Sequence, residues 1–225
     1  MILFTSGTTG IPKGVVHTHR SILSRLTLNQ YHIPKEEREI TLSVLPTYFG
    51  HGLIGNILTP LTDSQRVIIA PGNNLDFQSR FSEIIDEYKI SFMSSVPSFW
   101  KKILLNKSKP KNKSLKRIQV GSAPLSLNLW KNIADWSSNK NIFNMYGITE
   151  TANWISGISL TEENVVDGSI GKIWGGSFAI LNENNQILSS GEGEILVQNP
   201  SLMQGYLNLQ NETNNVLKNG WFYTG

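Results

Sequence analysis

From residue 2 to about residue 147, short apolar runs alternate with stretches that carry a helical period, and this alternation narrows the possible folds more than any other feature of the chain. Strands are expected at Ile2–Phe4, Thr41–Leu45, Arg66–Ala70, Ile90–Ser94 and Arg117–Val120. Between them, helices are expected near Ser21–Gln30, Leu53–Leu61, Ser98–Leu105 and Ser126–Trp136. Residues 75–88 set Leu75, Phe81, Ile84, Ile85 and Tyr88 close to a helical repeat, so one further helix fits there. The run Arg66–Ala70, closed by Pro71-Gly72, reads as a buried strand. Strands separated by helices imply a mainly parallel sheet covered on both faces.

At Gly168 the texture changes. Ala179–Leu181, Gln186–Leu188 and Glu194–Val197 are short strand candidates separated by Asn-rich and Gly-rich turns. The expected architecture is therefore a layered, mostly parallel α/β sandwich over residues 1–167, then a small β-rich, barrel-like subdomain over 168–225.

Several function classes drop out on composition. The chain has no cysteine, which excludes disulfides, thiolate chemistry and thiolate metal sites. No apolar run approaches the ~20 residues a membrane helix needs. Met1–Phe4 passes at once into a Thr/Ser/Gly stretch, unlike a signal peptide, so a cytoplasmic location is expected. The net charge of +3 is concentrated: Lys101–Arg117 holds eight basic residues and no acidic one. That run is broken by Pro, Asn and Ser, and its Lys107–Lys113 stretch has no aromatic residue on which a base might stack. A solvated surface loop is expected there, and no nucleic-acid partner.

The chemistry-bearing motifs begin with Thr5-Ser-Gly-Thr-Thr-Gly-Ile-Pro-Lys-Gly14, directly after a predicted strand. Gly7, Gly10 and Gly14 let the backbone turn tightly and bring N–H groups near an anion. Thr5, Ser6, Thr8 and Thr9 add hydroxyl donors, and Lys13 a mobile cation. A phosphate-binding loop is the reading. It is not a Walker-A loop, which needs Gly-Lys-[Ser/Thr], whereas here Lys13 precedes Gly14. His17 and His19, shortly downstream, read as polar residues at a helix start. Three further segments stand out: Leu45-Pro-Thr-Tyr-Phe-Gly-His-Gly-Leu53, Gly121-Ser-Ala-Pro-Leu125 after a strand, and Asn144-Met-Tyr-Gly-Ile-Thr-Glu-Thr151.

Taken in order, these segments resemble the signature motifs of the adenylate-forming superfamily, which includes acyl-CoA and aryl-CoA ligases, firefly-type luciferases and the adenylation domains of peptide synthetases. The resemblance spans essentially the whole chain. It implies ATP-dependent activation of a carboxylic acid to an acyl-adenylate, with release of pyrophosphate and then thioester formation with CoA. The other acceptor it allows is a carrier protein loaded with an amino acid; a non-catalytic nucleotide-binding module is the contrasting reading.

Site roles carry over motif by motif. Thr5–Gly10 and Lys13 would hold phosphates, and Gly121, Ser122, Ala123, Pro124, Tyr146 and Gly147 the adenine. Thr149 would contact the α-phosphate and Glu150 would hold Mg2+. Lys13, Thr149 and Glu150 are thus the catalytic candidates, and Tyr48, Phe49 and His51 the candidates beside the acyl carboxylate. Phe49 stands where relatives often carry histidine. Gly168–Lys172, Gly191–Ile195 and Pro200–Asn208 also resemble family landmarks and read as structural, with Tyr206 packing. Pro200–Asn208 is closer to the CoA ligases. Trp221–Gly225 resembles the ribose-binding motif but stops one residue before its aspartate. The resemblance therefore implies an internal fragment, without the N-terminal portion and the C-terminal lid with its lysine, that turns over little by itself.

Overall fold

The computed structural model describes residues 1–5 and 12–225. Ser6, Gly7, Thr8, Thr9 and Gly10 of the phosphate loop, with Ile11, lie outside the described residues.

The chain opens with β1 (Ile2–Thr5) and β2 (Lys13–Val16), then α1 (His19–His32), whose first turn is capped by the Thr18 side chain accepting from the Ser21 N–H. β3 (Ile40–Ser43) leads into a π-helix at His51–Leu58 that passes into a single turn, α2 (Thr59–Leu61). The wide register shows in the Thr59 N–H donating to the Ile54 carbonyl. β4 (Arg66–Ile69), α3 (Leu75–Ser79), α4 (Phe81–Tyr88), β5 (Phe92–Ser95), α5 (Pro97–Ile103), β6 (Arg117–Gly121), α6 (Leu127–Ser137) and β7 (Ile142–Gly147) follow. β8 (Trp154–Ser159) and β9 (Lys172–Ile173) turn back antiparallel.

The central sheet has seven strands in the order β4-β3-β5-β6-β7-β8-β9, and pairing is parallel from β4 through β7. β10 (Ser177–Leu181), β11 (Ile187–Leu188) and β12 (Glu194–Gln198) come next. After them come β13 (Gly205–Tyr206), α7 (Gln210–Val216), β14 (Leu217–Lys218) and β15 (Trp221–Tyr223). Five of these strands form an antiparallel sheet, β11-β10-β12-β15-β14. β13 instead pairs with β2, completing a three-stranded sheet β1-β2-β13 that ties the two ends of the sequence together.

Side chains alternate across the parallel strands. One face, with Leu42, Met93, Ile118, Val120 and Ile142, packs against α3 to α6 in a core that includes Phe81, Trp100, Trp130 and Trp136. The opposite face lies under α1 and the π-helix and carries Thr41, Ser43, Ser94, Arg117 and Gln119, all buried.

The alternation of strands and helices is as the sequence implies, but β7 and β8 are strands that the sequence pattern did not indicate, and other details depart from it. Arg66–Ile69 is an edge strand rather than a buried one, paired only with β3, and Ile69 is 61% exposed. Residues 75–88 form two helices that meet at Arg80, not one. Lys13–Val16, read as part of the phosphate loop and its continuation, is a strand antiparallel to β1, so Ile2–Thr5 belongs to the small sheet and not to the parallel one. Within the basic run, the Lys107–Lys113 stretch is an irregular surface segment with its lysines exposed, as expected, while the two ends of the run lie in regular elements. Lys101 and Lys102 lie in α5, and Arg117 is buried at the start of β6, bonded to Glu37 at 3.0 Å with its guanidinium over the Phe143 ring.

Candidate active site

Open α/β sheets gather ligands beyond the carboxyl ends of their parallel strands. Here the segments after β3, β6 and β7 meet there and line a cleft of about 620 Å³. Phe49, Gly50 and His51 come from the first, Ser122 from the second, and Gly147 through Glu150 from the third. Thr5 and Lys13 enter from the small sheet, and Tyr206, Tyr223, Thr224 and Gly225 from the C-terminal portion.

Thr149, Glu150 and Thr151 form a single tight turn. Thr151 Oγ1 donates to the carbonyls of Ile148 and Asn153 and accepts from the Ile148 N–H. Ala152 follows at φ 68°, a conformation an L-residue adopts at a cost of about 1–3 kcal/mol, so the surrounding bonds must hold it. One such bond runs from Asn153 Nδ2 to the Gly50 carbonyl, joining the β3 and β7 segments. The buried His17 makes another, with Nε2 2.8 Å from the Thr149 carbonyl; burial holds its pKa below the ordinary value despite that bond.

His51 is buried at the edge of the cleft. Its Nδ1 lies 2.9 Å from Ser122 Oγ and its Nε2 2.7 Å from Ser94 Oγ, while its ring meets Trp154 edge-on. Burial pushes its pKa down to about 3. The ring is therefore neutral at ordinary pH, one nitrogen donating and the other accepting. It cannot supply a cation to an anionic ligand; it braces Ser122, a non-glycine residue at φ 64° just after β6. The preceding residue, Gly121, leaves no room for a side chain: a Cβ there would lie 2.8 Å from the Met145 carbonyl oxygen.

Lys13, Thr149, Glu150, Thr5, Ser122, Gly147, Phe49 and His51 are thus brought together at one cleft. Tyr48 is not, being 82% exposed, and Gly121, Ala123, Pro124 and Tyr146 also lie outside the lining. Tyr146 is half-buried beside Phe178, its hydroxyl pKa raised by burial first and by Glu150 second. Ala123 and Pro124 are exposed next to Ser122. Phe49 also borders a second cleft of about 650 Å³ at the ends of β3, β4 and β5, walled by Val44–Thr47, Ala70–Asn73 and Phe99.

Several residues of the cleft were not candidates from the sequence, among them Ala152, Asn153, Trp154 and Tyr206. Tyr206 packs, as expected, but its hydroxyl also donates to Glu150 Oε1 at 2.8 Å. Its segment reads as a landmark in the sequence, and nothing in a one-dimensional pattern shows where the hydroxyl ends up.

Glu150 is a fitting ligand for Mg2+. One carboxylate oxygen is engaged by Tyr206, and no group of three or more His, Cys, Asp or Glu side chains gathers among the described residues. A lone carboxylate suits an ion that keeps several waters and takes its other ligands from substrate phosphates.

The family model described as AMP-binding enzyme matches residues 1–207. A probable CoA ligase of Humulus lupulus, CCL9, is 29% identical over 230 residues, covering 100% of this chain and 43% of that protein. Among solved structures, the inhibitor-bound N-terminal domain of FACL13 from Mycobacterium tuberculosis superposes with a TM-score of 0.90 at 25% identity, covering 100% of this chain and 56% of that one. O-succinylbenzoate coenzyme A synthetase (MenE) of Bacillus subtilis, in complex with ATP and magnesium ion, gives 0.86 at 25% identity, covering 100% and 46%. The chain thus spans less than half the length of the Humulus relative. With a family model matched over residues 1–207 and the same fold in those neighbours, the chain belongs to the AMP-binding enzyme family.

Proposed function

We propose that this chain forms the ATP- and acid-binding part of an enzyme that converts a carboxylic acid to an acyl-adenylate, the whole protein then passing the acyl group to the thiol of CoA. The observation that carries this reading is the meeting of Lys13, Thr149 and Glu150 with Phe49 and Ser122 in one cleft. In the reaction a substrate carboxylate oxygen bonds to the α-phosphorus of ATP. The bond from that phosphorus to the bridging oxygen breaks, and pyrophosphate leaves with the electron pair. No side chain becomes a nucleophile; the work is positioning two anions and stabilising charge. Lys13 approaches the phosphates from the small sheet, and Thr149 lies in the tight turn at the cleft. Glu150 offers a hard oxygen to Mg2+, which when bound neutralises phosphate charge. Ser122 and Tyr146 flank the base, and Phe49 the acyl side.

The test uses the chain itself. Equilibrium binding should show Mg2+-enhanced ATP binding, displaced by AMP. A non-hydrolysable acyl-adenylate mimic (an acyl sulfamate of adenosine) should displace ATP at lower concentration than AMP. ATP binding that neither AMP nor the mimic displaces would overturn the reading.

A further inference from the structure

The residues from Asn199 to Leu207 run as a brace between the two sources of charge in the cleft. The Met203 N–H donates to the Glu150 carbonyl at 2.8 Å, and Ser201 Oγ to the Thr151 carbonyl at 2.9 Å. On the other side, the Gln204 N–H donates to the Val16 carbonyl and the Leu207 N–H to the Gly14 carbonyl. The foot of the brace is held by Arg25, wholly buried, whose guanidinium donates to Ser201 Oγ and Asn199 Oδ1. No part of this frame leaves Tyr206 free to wander. Its N–H donates to Thr213 Oγ1 at 2.8 Å, and it pairs in register with Val15.

We infer that Tyr206 is a positioning residue that sets both Glu150 and Lys13 for a magnesium–nucleotide complex. Its hydroxyl donates to one carboxylate oxygen of Glu150, and its ring lies under the Lys13 ammonium, 5.0 Å from nitrogen to centroid. One side chain thus touches the anion offered to the metal and the cation offered to the phosphates. The hydroxyl fixes the rotation of the carboxylate, leaving the second oxygen for the ion, as outer partners do for metal ligands. The ring face attracts the ammonium and limits where it rests. This inference rests on the proposed ATP-binding reading.

The two contacts separate experimentally. ATP affinity of the chain is measured by equilibrium binding with and without Mg2+ for wild type, Tyr206→Phe, Tyr206→Leu, Glu150→Gln and the Tyr206→Phe/Glu150→Gln double variant, with thermal melts alongside. Tyr206→Phe keeps the ring and loses the hydroxyl. It should weaken binding with Mg2+ about tenfold, and much less without it. Tyr206→Leu loses the ring as well and should add a further loss of about two- to fivefold that persists without Mg2+. The double variant should bind no worse than Glu150→Gln, because the hydroxyl acts through Glu150. Equal losses with and without Mg2+ for Tyr206→Phe, or additive losses in the double variant, would overturn the inference, and those two comparisons remain even if Tyr206→Leu does not fold. Wild-type chain that binds no ATP would instead sink the reading beneath it.

Discussion

The two faces of the seven-stranded sheet are built on opposite plans. Toward α3–α6 the sheet presents apolar residues to a continuous core of aromatic and branched side chains. Toward α1 and the π-helix it presents Thr41, Ser43, Ser94, Arg117 and Gln119, and two small apolar clusters sit among them. The first face stabilises by removing carbon from water. The second gives up part of that gain to carry polar groups, among them Ser94, whose hydroxyl bonds His51 and whose carbonyl accepts from Asn56 Nδ2, so that the π-helix bordering the cleft is anchored to it. Stability and site geometry are thus divided between two sides of one sheet.

The largest expected effect breaks the apolar side. Trp100 is fully buried and meets Phe81, Phe99 and Trp136. Trp100→Ala should destabilise the fold by about 3–5 kcal/mol, read by urea unfolding. A loss below about 1 kcal/mol would mean that this core carries less of the stability than its packing implies.

The next effect probes the polar side by pH. His51 has an ordinary unfolded pKa of 6.5 and a folded value pushed down to about 3. Between those values the unfolded chain binds a proton that the folded chain refuses, so stability falls as pH falls. The slope per such group is about 1.4 kcal/mol per pH unit. His17, also shifted down by burial, adds to it in the same direction. Urea unfolding at pH 7 and pH 5 should show this loss in wild type. In His51→Asn it should be smaller by about 2 kcal/mol. An unchanged pH dependence in that variant would show that His51 is not held neutral.

The smallest effect lies on neither face. Lys116 and Glu39 form an exposed ion pair at 3.0 Å, worth about 0–1 kcal/mol. Lys116→Ala should leave unfolding almost unchanged. A loss of several kcal/mol would mean that exposed ion pairs carry stability comparable to the apolar core.

The same division explains what could be read without coordinates. Strands and helices on the apolar side follow hydrophobic periodicity, so Phe92–Ser95, Arg117–Gly121 and Leu127–Ser137 fall close to where the pattern puts them. Features set by hydrogen bonds leave no such pattern. His51 could be singled out as a candidate, but not that Ser94 of β5 and Ser122, just after β6, would enclose it. The strand Lys13–Val16 was hidden because Lys13-Gly14 reads as loop, and only pairing with both β1 and β13 makes it a strand. Likewise the edge position of Ile69 depends on which strands flank it, which composition does not encode. Arg117 ends a basic run in sequence, yet Glu37, eighty residues earlier, draws it inside.

In the proposed function, the cleft beyond the carboxyl ends of the parallel strands binds ATP with Mg2+ held at Glu150. The most direct test is equilibrium ATP binding by wild type and Glu150→Gln across a Mg2+ titration. Wild type should bind more tightly as Mg2+ rises, and Glu150→Gln should lose most of that enhancement, roughly tenfold or more, while its thermal melt stays close to wild type. Mg2+ enhancement that survives intact in Glu150→Gln would show that Glu150 does not hold the ion.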